Sequence, residues 1–445
     1  FLATTLAVAA RPLAAQARRP NIVVILADDL GYGDLGCYGQ TRILTPNLDR
    51  VAREGMRFTQ AYAGSPVCAP SRCVLMTGLH SGHALVRNNA GPRRPRPPLG
   101  PDDTTFFELL QRAGYRTGAF GKWAMGDAHD SGRPGQKGVD QFYGYYNQTH
   151  AHDYYPTHLW ENEQYVLLRG NRGASKQAYS HDLVADKALD WIGRNAGAPF
   201  LAYLAFTIPH ADNELGHDTG DGQPVPDYGP YAEQPWPTPE KGFAAMITRM
   251  DRDIGRLLDL LRDKGIDDNT LILFSSDNGP HKEGGHQPAF FESQGGLRGI
   301  KRDLYEGGIR VPMLARWPGH VPAGAVSDEV WAFWDFLPTA CELAGVAAPT
   351  GLDGVSVVPA LEGRPLPSRP PLYWEFGQSG RFAQAVRDGK WKAIRNGLDD
   401  PLELYDLNDD PGERRNVAAQ NRAVVEKMAA LIAANHVESP DFPSR

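Results

Sequence analysis

The sequence predicts an α/β protein, with a layered main domain and a smaller α+β domain after it. Apolar runs of strand length at 21–27, 200–206 and 270–275 alternate with stretches of helical spacing. This alternation is typical of a central sheet with helices packed on it. After about Pro349 the pattern changes to short strands and one last helix, at 372–376, 383–387, 391–395, 402–407 and 422–435. We therefore expect domains at 18–348 and 349–445.

The composition is that of an ordinary globular chain. Its 445 residues are 41% hydrophobic and 22% charged, which is enough for a large core. The formal net charge of −7 argues against nucleic acid and anionic membranes as main partners. Four cysteines are too few for a disulfide scaffold, although one bridge is possible. The composition leaves the oligomeric state open.

The first seventeen residues have the pattern of a secretory leader. Residues 1–10 are mostly apolar, and Ala15-Gln16-Ala17 resembles a cleavage site. This is typical of a signal peptide at 1–17 that lacks its first residues, and it is too short to span a bilayer. We expect an exported protein, periplasmic or secreted, with no membrane span.

The first strand, Asn21 to Ala27, is apolar throughout and β-branched, as expected of a central strand buried on both faces. It ends in Asp28-Asp29. Two carboxylates at the carboxyl end of a buried strand are costly without a cation, and ligands of α/β sheets bind at that edge. A helix cap or a solvated turn is the alternative.

The next elements bring the chain to a second candidate site. Thr45-Pro46 predicts the start of a helix that stops at Gly55, and a strand from 56 to 62 follows. Pro70 suits the first turn of a helix, which would place Cys68 just ahead of a helix N-terminus, where an anion is attracted. Arg72 adds a planar cation there. A buried cysteine before a helix is the alternative.

The following segments add two candidate regions, of which the first carries a lysine and the second carries histidines. Thr105 to Glu108 forms a capping box whose helix ends at Gly114, and a strand at 115–120 leads to Lys122. Between 142 and 160 aromatic residues and histidines, including His152, crowd without a regular period. This pattern predicts a loop whose aromatic faces suit a sugar or aryl group, and ordinary loop packing is equally compatible.

Two further strands end in polar residues. A helix is predicted at 175–195, and the strand at 200–206 leads to His210. A long helix from 238 to 265 precedes the strand at 270–275, which leads to Asp277-Asn278. Together with Asp28 and Asp29 these side chains offer only oxygen, which favours Ca²⁺ or Mg²⁺ over zinc.

Cys68-x-Pro70-x-Arg72 has the form of the signature of the formylglycine-dependent sulfatases, and the chain resembles that family over 20–418. Further segments in the family's order are 20–34, 45–49, 121–123, 297–301 and 403–407. The resemblance implies the alkaline-phosphatase-like fold, with a large mixed central sheet and a small C-terminal antiparallel sheet. It also implies that a maturation enzyme oxidises Cys68 to formylglycine (3-oxoalanine).

The resemblance assigns roles position by position. Cys68 matches the nucleophile and a metal ligand, and Asp28, Asp29, Asp277 and Asn278 match the other metal ligands. Arg72 matches the residue that helps to stabilise the nucleophile. In the family the nucleophile attacks sulfur, and its second hydroxyl then expels sulfate. Lys122 and Lys301 match sulfate-binding lysines, and His210 matches the histidine that protonates the leaving alcohol.

One position departs from the family pattern. Many sulfatases carry histidine where this chain has Ala124, and that histidine is assigned to the step that releases sulfate. His281 or His152 is a candidate substitute and a candidate substrate contact. Ala124 is also compatible with a subgroup of carbohydrate-active sulfatases that has a small residue there.

The substrate is therefore expected to be a sulfate ester, either a small molecule or an oligosaccharide. The leader, the aromatic segment and the loop at 281–286 favour an exo-acting enzyme on sulfated galactose or N-acetylgalactosamine. An arylsulfatase, a phosphonate or phosphate monoester hydrolase, and a catalytically decayed glycan-binding protein are the alternatives. The sequence does not indicate which hydroxyl carries the sulfate.

Overall fold

The structure, a computed structural model, describes residues 18–89, 97–173, 175–378 and 381–444. The predicted leader at 1–17 lies outside these residues. In the described part of the chain, no helix combines the length and the apolarity needed to cross a membrane.

A ten-stranded mixed sheet forms the centre of the main domain, as predicted. Its strand order is β11-β2-β10-β9-β1-β8-β4-β5-β6-β7. The strands are β1 (Asn21–Ala27), β2 (Met56–Phe58), β4 (Arg116–Lys122), β5 (Gln141–Tyr145), β6 (His158–Glu161), β7 (Gln164–Leu167), β8 (Phe200–Ala205), β9 (Thr270–Ser276), β10 (Met313–Arg316) and β11 (Ala325–Ser327). Strands β9, β1, β8, β4 and β5 run parallel, whereas β10, β6 and β7 pair antiparallel with their neighbours.

Helices cover both faces of this sheet. The helices of the described chain are α1 (Pro46–Glu54), α2 (Cys68–Thr77), α3 (Phe106–Arg112), α4 (Ser180–Asn195), α5 (Asn213–Thr219), α6 (Thr238–Asp263), α7 (Pro288–Phe291), α8 (Glu306–Ile309), α9 (Phe336–Ala344), α10 (Val358–Leu361) and α11 (Arg422–Asn435), the last of which packs on the C-terminal sheet instead. Strand β1 shows the layering, because its alternate residues enter different apolar clusters. Val24 packs with residues of α2, α3 and α9, and Val23 packs with residues of α1, α4 and α6.

A second, antiparallel sheet of four strands follows, as predicted for the C-terminal region. It consists of β13 (Leu372–Gln378), β14 (Arg381–Asp388), β15 (Trp391–Arg395) and β16 (Glu403–Asp406). One face packs on α11 through Met428 and Ile432. Trp374 and Ile394 instead join the large apolar cluster that contains α2. The domain boundary at 348/349 stays a prediction.

Several predicted elements need correction. The strand expected at 56–62 is divided into β2 and β3 (Ala61–Tyr62), because β3 leaves the large sheet and pairs with β12 (Trp331–Ala332). The helix expected from residue 175 begins at Ser180. Helix α2 begins at Cys68 itself rather than after it. The four cysteines, all of which lie in the described ranges, are free thiols, so the possible bridge is not formed.

The segment at 142–160 was predicted as a loop and is partly strand. Its two ends belong to β5 and β6, which pair antiparallel at the edge of the sheet. Aromatic residues such as Phe142 and Tyr145 fill buried positions in β5, so their crowding reflects packing in a strand rather than an irregular loop.

Candidate active site

Four oxygen-bearing side chains meet where two central strands end. Strands β1 and β9 are parallel neighbours, and Ala27 is paired with Ser276, so the residues that follow them lie side by side. The backbone N–H of Asp29 donates to Asp277 Oδ1 at 3.1 Å, and Asn278 Nδ2 donates to Asp29 Oδ1 at 2.7 Å. Asp28, Asp29, Asp277 and Asn278 are all fully buried.

Helix α2 places Cys68 and Arg72 against these carboxylates. Cys68 is its first residue, and the Sγ atom lies 3.2 Å from Asp28 Oδ1. One turn later, Arg72 donates to Asp277 Oδ2 from Nε at 3.0 Å and from Nη2 at 2.8 Å. The spacing of four residues puts the thiol and the guanidinium on one face of the helix.

Two lysines approach the same carboxylates from other elements. Lys122 ends β4, and its Nζ lies 2.6 Å from Asp28 Oδ2. Lys301 Nζ lies 2.7 Å from Asp29 Oδ2. Gly121 permits the close approach of β4 to β8, because its φ is +110° and a Cβ there would lie 2.0 Å from the carbonyl oxygen of Ala205.

His210 lies beside Lys301. Its Nδ1 is 2.6 Å from the carbonyl oxygen of Ala211 and must donate to it, so in neutral His210 the Nε2 atom is an acceptor. Lys301 Nζ lies 3.2 Å from that Nε2. The arrangement fixes the ring and leaves one nitrogen facing the pocket.

Burial and charge act together on the titration of this pocket. Burial alone would raise the pKa of Asp28, but Lys122 and the other surrounding cations hold that pKa well below its usual value. Burial, together with the negative charge of Asp28, raises the pKa of Asp277 to about 7. Burial and the charge of Lys301 keep the pKa of His210 well below its usual value. These carboxylates therefore depend on positive charge for their ionisation.

His152 lies at the edge of the pocket. Its ring stacks on that of His210, with centroids 4.7 Å apart and an interplanar angle of 15°. Its Nδ1 lies 3.1 Å from Glu214 Oε2. Burial, and after it the positive charge of Lys122, lowers the pKa of His152.

His281 is buried, and both of its ring nitrogens face backbone groups. Nδ1 accepts from the N–H of Glu283 at 3.1 Å, and Nε2 lies 3.2 Å from the carbonyl oxygen of Pro209. The place that corresponds to the family's further histidine is held by Ala124, which is fully buried and has a φ of 61°. Of the two candidate substitutes, His152 is thus the one whose ring nitrogens make no hydrogen bond to the backbone of the described residues.

Two residues that contact the proposed site residues were not predicted from the sequence. Glu283 Oε2 lies 3.1 Å from Lys301 Nζ, and the Tyr154 hydroxyl donates to the carbonyl oxygen of His210 at 2.5 Å. Glu283 could have been found, since it closely follows Asp277-Asn278 along the chain. Tyr154 carried no signal, because it is one of many aromatic residues between 142 and 160.

The pocket fits a hard cation. Asn278 Oδ1 is buried and has no hydrogen-bond partner within the described residues, and it lies next to carboxylates crowded by their like charge. Ligand atoms of Asp28, Asp29, Cys68 and His210 lie within 4.8 Å of one another. Such an unpaired buried acceptor beside carboxylates suits Ca²⁺ or Mg²⁺.

The fold and this pocket define the class of protein. A mixed sheet covered on both faces, whose central strands end in carboxylates beside a Cys-x-Pro-x-Arg helix, is that of the alkaline-phosphatase-like superfamily. Residues 20–346 match the model of the family described as Sulfatase, and residues 299–437 match the model described as N-sulphoglucosamine sulphohydrolase, C-terminal. The chain belongs to the sulfatase family and is a sulfuric ester hydrolase, as predicted.

The names of similar proteins agree with the assignment to the sulfatase family. The chain is 33% identical to N-acetylgalactosamine-6-sulfatase of Canis lupus familiaris over 84% of this chain and 71% of the relative. It is 32% identical to human arylsulfatase A over 91% and 84%.

Among solved structures, Ps i-CgsB has a TM-score of 0.83 at 30% identity and covers 96% of this chain and 95% of its own. The PsFucS1 sulfatase from Pseudoalteromonas sp. has a TM-score of 0.71 at 26% identity, over 94% and 90%.

Proposed function

We propose that the chain is a formylglycine-dependent sulfatase that removes sulfate from the ends of sulfated carbohydrates of the galactose or N-acetylgalactosamine type. The observation that carries this proposal is the position of Cys68. Its Sγ lies at the start of α2, 3.2 Å from Asp28 Oδ1, and Arg72, Lys122 and Lys301 converge on the same buried carboxylates.

The proposed metal ligands are Asp28, Asp29, Asp277, Asn278 and the modified residue 68, and Ca²⁺ is the expected ion. When present, formylglycine supplies a nucleophilic oxygen and the cation stabilises negative charge on it. Charge balance supports this assignment. Asp28, Asp29 and Asp277 face Arg72, Lys122 and Lys301, so a divalent ion would make the pocket positive and attractive to an anionic ester.

The lysines and His210 have distinct proposed roles. Lys122, at the end of β4, contacts Asp28, and Lys301 contacts Asp29, so that each ammonium group can donate to sulfate oxygens. Nδ1 of His210 is engaged with Ala211, so the proton for the leaving alcohol passes at Nε2, within 3.2 Å of the Lys301 ammonium. Arg72 keeps Asp277 in place through two hydrogen bonds.

His152 is proposed as a substrate contact and as the candidate base for sulfate release, in place of a histidine at 124. Support comes from its stacking on His210, the proposed proton donor. His281 is proposed to shape the pocket, because its contacts hold the backbone of Glu283 and Pro209.

The carbohydrate assignment rests on the relatives. One is named for N-acetylgalactosamine 6-sulfate, and the Ps i-CgsB structure was also solved with a neocarrahexaose. Activity as a general arylsulfatase is the second candidate, favoured by the similarity to arylsulfatase A. Export to the periplasm or the medium, and modification by a maturation enzyme, are part of the proposal.

A substrate panel tests this function. Protein co-expressed with a formylglycine-generating enzyme would be given galactose and N-acetylgalactosamine sulfated at each single position, 4-nitrophenyl sulfate and a phenylphosphonate monoester. We expect one sugar sulfate to be turned over with the highest kcat/KM. Turnover of the aryl ester alone would favour the arylsulfatase, and preference for the phosphonate would overturn the proposal.

A further inference from the structure

A cleft of about 520 Å³ opens beside His152. Glu214 is part of its wall and contacts His152, whose ring stacks on His210. The cleft therefore begins one aromatic ring away from the histidine that faces Lys301.

The cleft has the opposite charge to the sulfate-binding pocket. Four carboxylates line it, and Lys176 is the one cation among its lining residues; the carboxylates are those of Asp153, Asp212, Glu214 and Asp218. Asp153, Glu214 and Asp218 are exposed. A second sulfate or a carboxylate held there would meet like charge, whereas sugar hydroxyls can donate to these oxygens.

The rest of the wall suits a sugar ring. Tyr155 and Leu215 add partly buried aromatic and apolar surface, and Thr149 adds a hydroxyl. A volume of about 520 Å³ is within the range of sites for small ligands. Apolar faces combined with carboxylates are the surface that an uncharged sugar, with its apolar ring face and its donor hydroxyls, can pair with.

We propose that this cleft is a subsite for the second sugar of the substrate, the one next to the sugar that carries the scissile sulfate. We further propose that the cleft selects an uncharged sugar at this position. This inference rests on the proposed sulfatase function and adds the class of substrate: chain ends whose neighbouring sugar carries no sulfate or carboxylate. The positive pocket binds the one sulfate to be removed, and the acidic cleft disfavours a second one.

The experiment compares two disaccharides that share a sulfated non-reducing end and differ in one sulfate on the second sugar. We expect the wild-type protein to prefer the monosulfated compound by about tenfold or more in kcat/KM, and added salt to reduce this preference as charges are screened. The double variant Asp153→Asn/Asp218→Asn should lower the preference severalfold, and Asp153→Asn/Asp218→Lys, which changes the charge of the cleft by one unit more, should lower it further.

Asp263→Asn is the matched control. It also removes one negative charge, but Asp263 ends α6 near the start of β9, at the opposite edge of the sheet from the pocket. It should keep the wild-type preference. Folding of every variant is checked by thermal unfolding.

Two failures are distinguishable. If 4-nitrophenyl sulfate and all sugar sulfates are left intact by the modified protein, the proposed function fails. If sulfate esters are turned over, but the two disaccharides react equally or the variants keep the wild-type ratio, this inference is overturned and the proposed function stands.

Discussion

Lys301 Nζ and His210 Nε2 lie 3.2 Å apart, and both side chains are buried. Lys301 is also 2.7 Å from Asp29 Oδ2, so one ammonium group joins the histidine to the proposed metal ligands. The contact gives the histidine a source of protons on the one nitrogen that is not engaged by backbone.

The first prediction concerns this histidine. His210→Gln should lower kcat/KM for a sugar sulfate by about 10²- to 10⁴-fold, the usual contribution of a general acid. The loss for 4-nitrophenyl sulfate should be much smaller, because nitrophenolate leaves without being protonated. Equal losses for both substrates would contradict the role.

The second prediction concerns the cation. Removal of divalent ions with a chelator should abolish turnover, and Ca²⁺ should restore it. Asn278→Ala should weaken the apparent affinity for Ca²⁺ by at least about tenfold, because Asn278 Oδ1 is the unpaired buried acceptor. Asn278→Asp keeps an oxygen there and should lose less. Affinity is measured by calcium titration calorimetry on the apo protein, with activity as a second measurement.

The third prediction concerns stability. Arg72→Met leaves the buried Asp277 carboxylate without its cation and should destabilise the protein by about 3–5 kcal/mol. The same substitution at Arg194, which forms an ion pair with Asp190 in which both side chains are about 60% exposed, should cost at most about 1 kcal/mol. Denaturant unfolding of both variants measures the difference, and similar losses would contradict the account.

The fourth prediction concerns the buried carboxyl group of Glu413. Lys392 Nζ lies 2.9 Å from both Glu306 Oε1 and Glu413 Oε1, and burial raises the pKa of Glu413 to about 7. A carboxyl with a raised pKa binds its proton more tightly in the folded state. Its contribution to stability is therefore complete below the unfolded pKa and is lost as pH rises toward about 7.

Glu413→Gln should remove this dependence. The melting temperature of the variant should change less between about pH 5 and 7 than that of the wild type, in which the group titrates. Gln can still accept the hydrogen bond from the N–H of Glu306. A steeper dependence in the variant would contradict the assignment.

The sequence predicted much of this arrangement because several of the proposed site residues follow strong local signals. Asp28 and Asp277 come directly after apolar strands, and parallel strands bring their carboxyl ends to one edge. Lys122, His210 and Lys301 were assigned from the order of family segments, since no local pattern separates such residues from surface ones. The family and the fold class are confirmed by the comparisons.

What the sequence did not predict depends on contacts between distant segments. The pairing of His152 with Glu214 joins residues 62 apart in the chain, and the acidic cleft beyond them has no sequence motif. The break between β2 and β3 follows from pairing with β12, about 270 residues later. Periodicity describes one element at a time and contains no information about its partners.

The central claim is that residue 68 acts as a formylglycine. The most direct test is peptide mass spectrometry of the segment around Cys68, combined with sulfate-ester turnover, for protein made with and without a formylglycine-generating enzyme. We predict that turnover rises in proportion to the fraction of Cys68 converted to the aldehyde and that Cys68→Ala is folded and inactive. Equal activity in converted and unconverted protein, or activity in Cys68→Ala, would contradict the account.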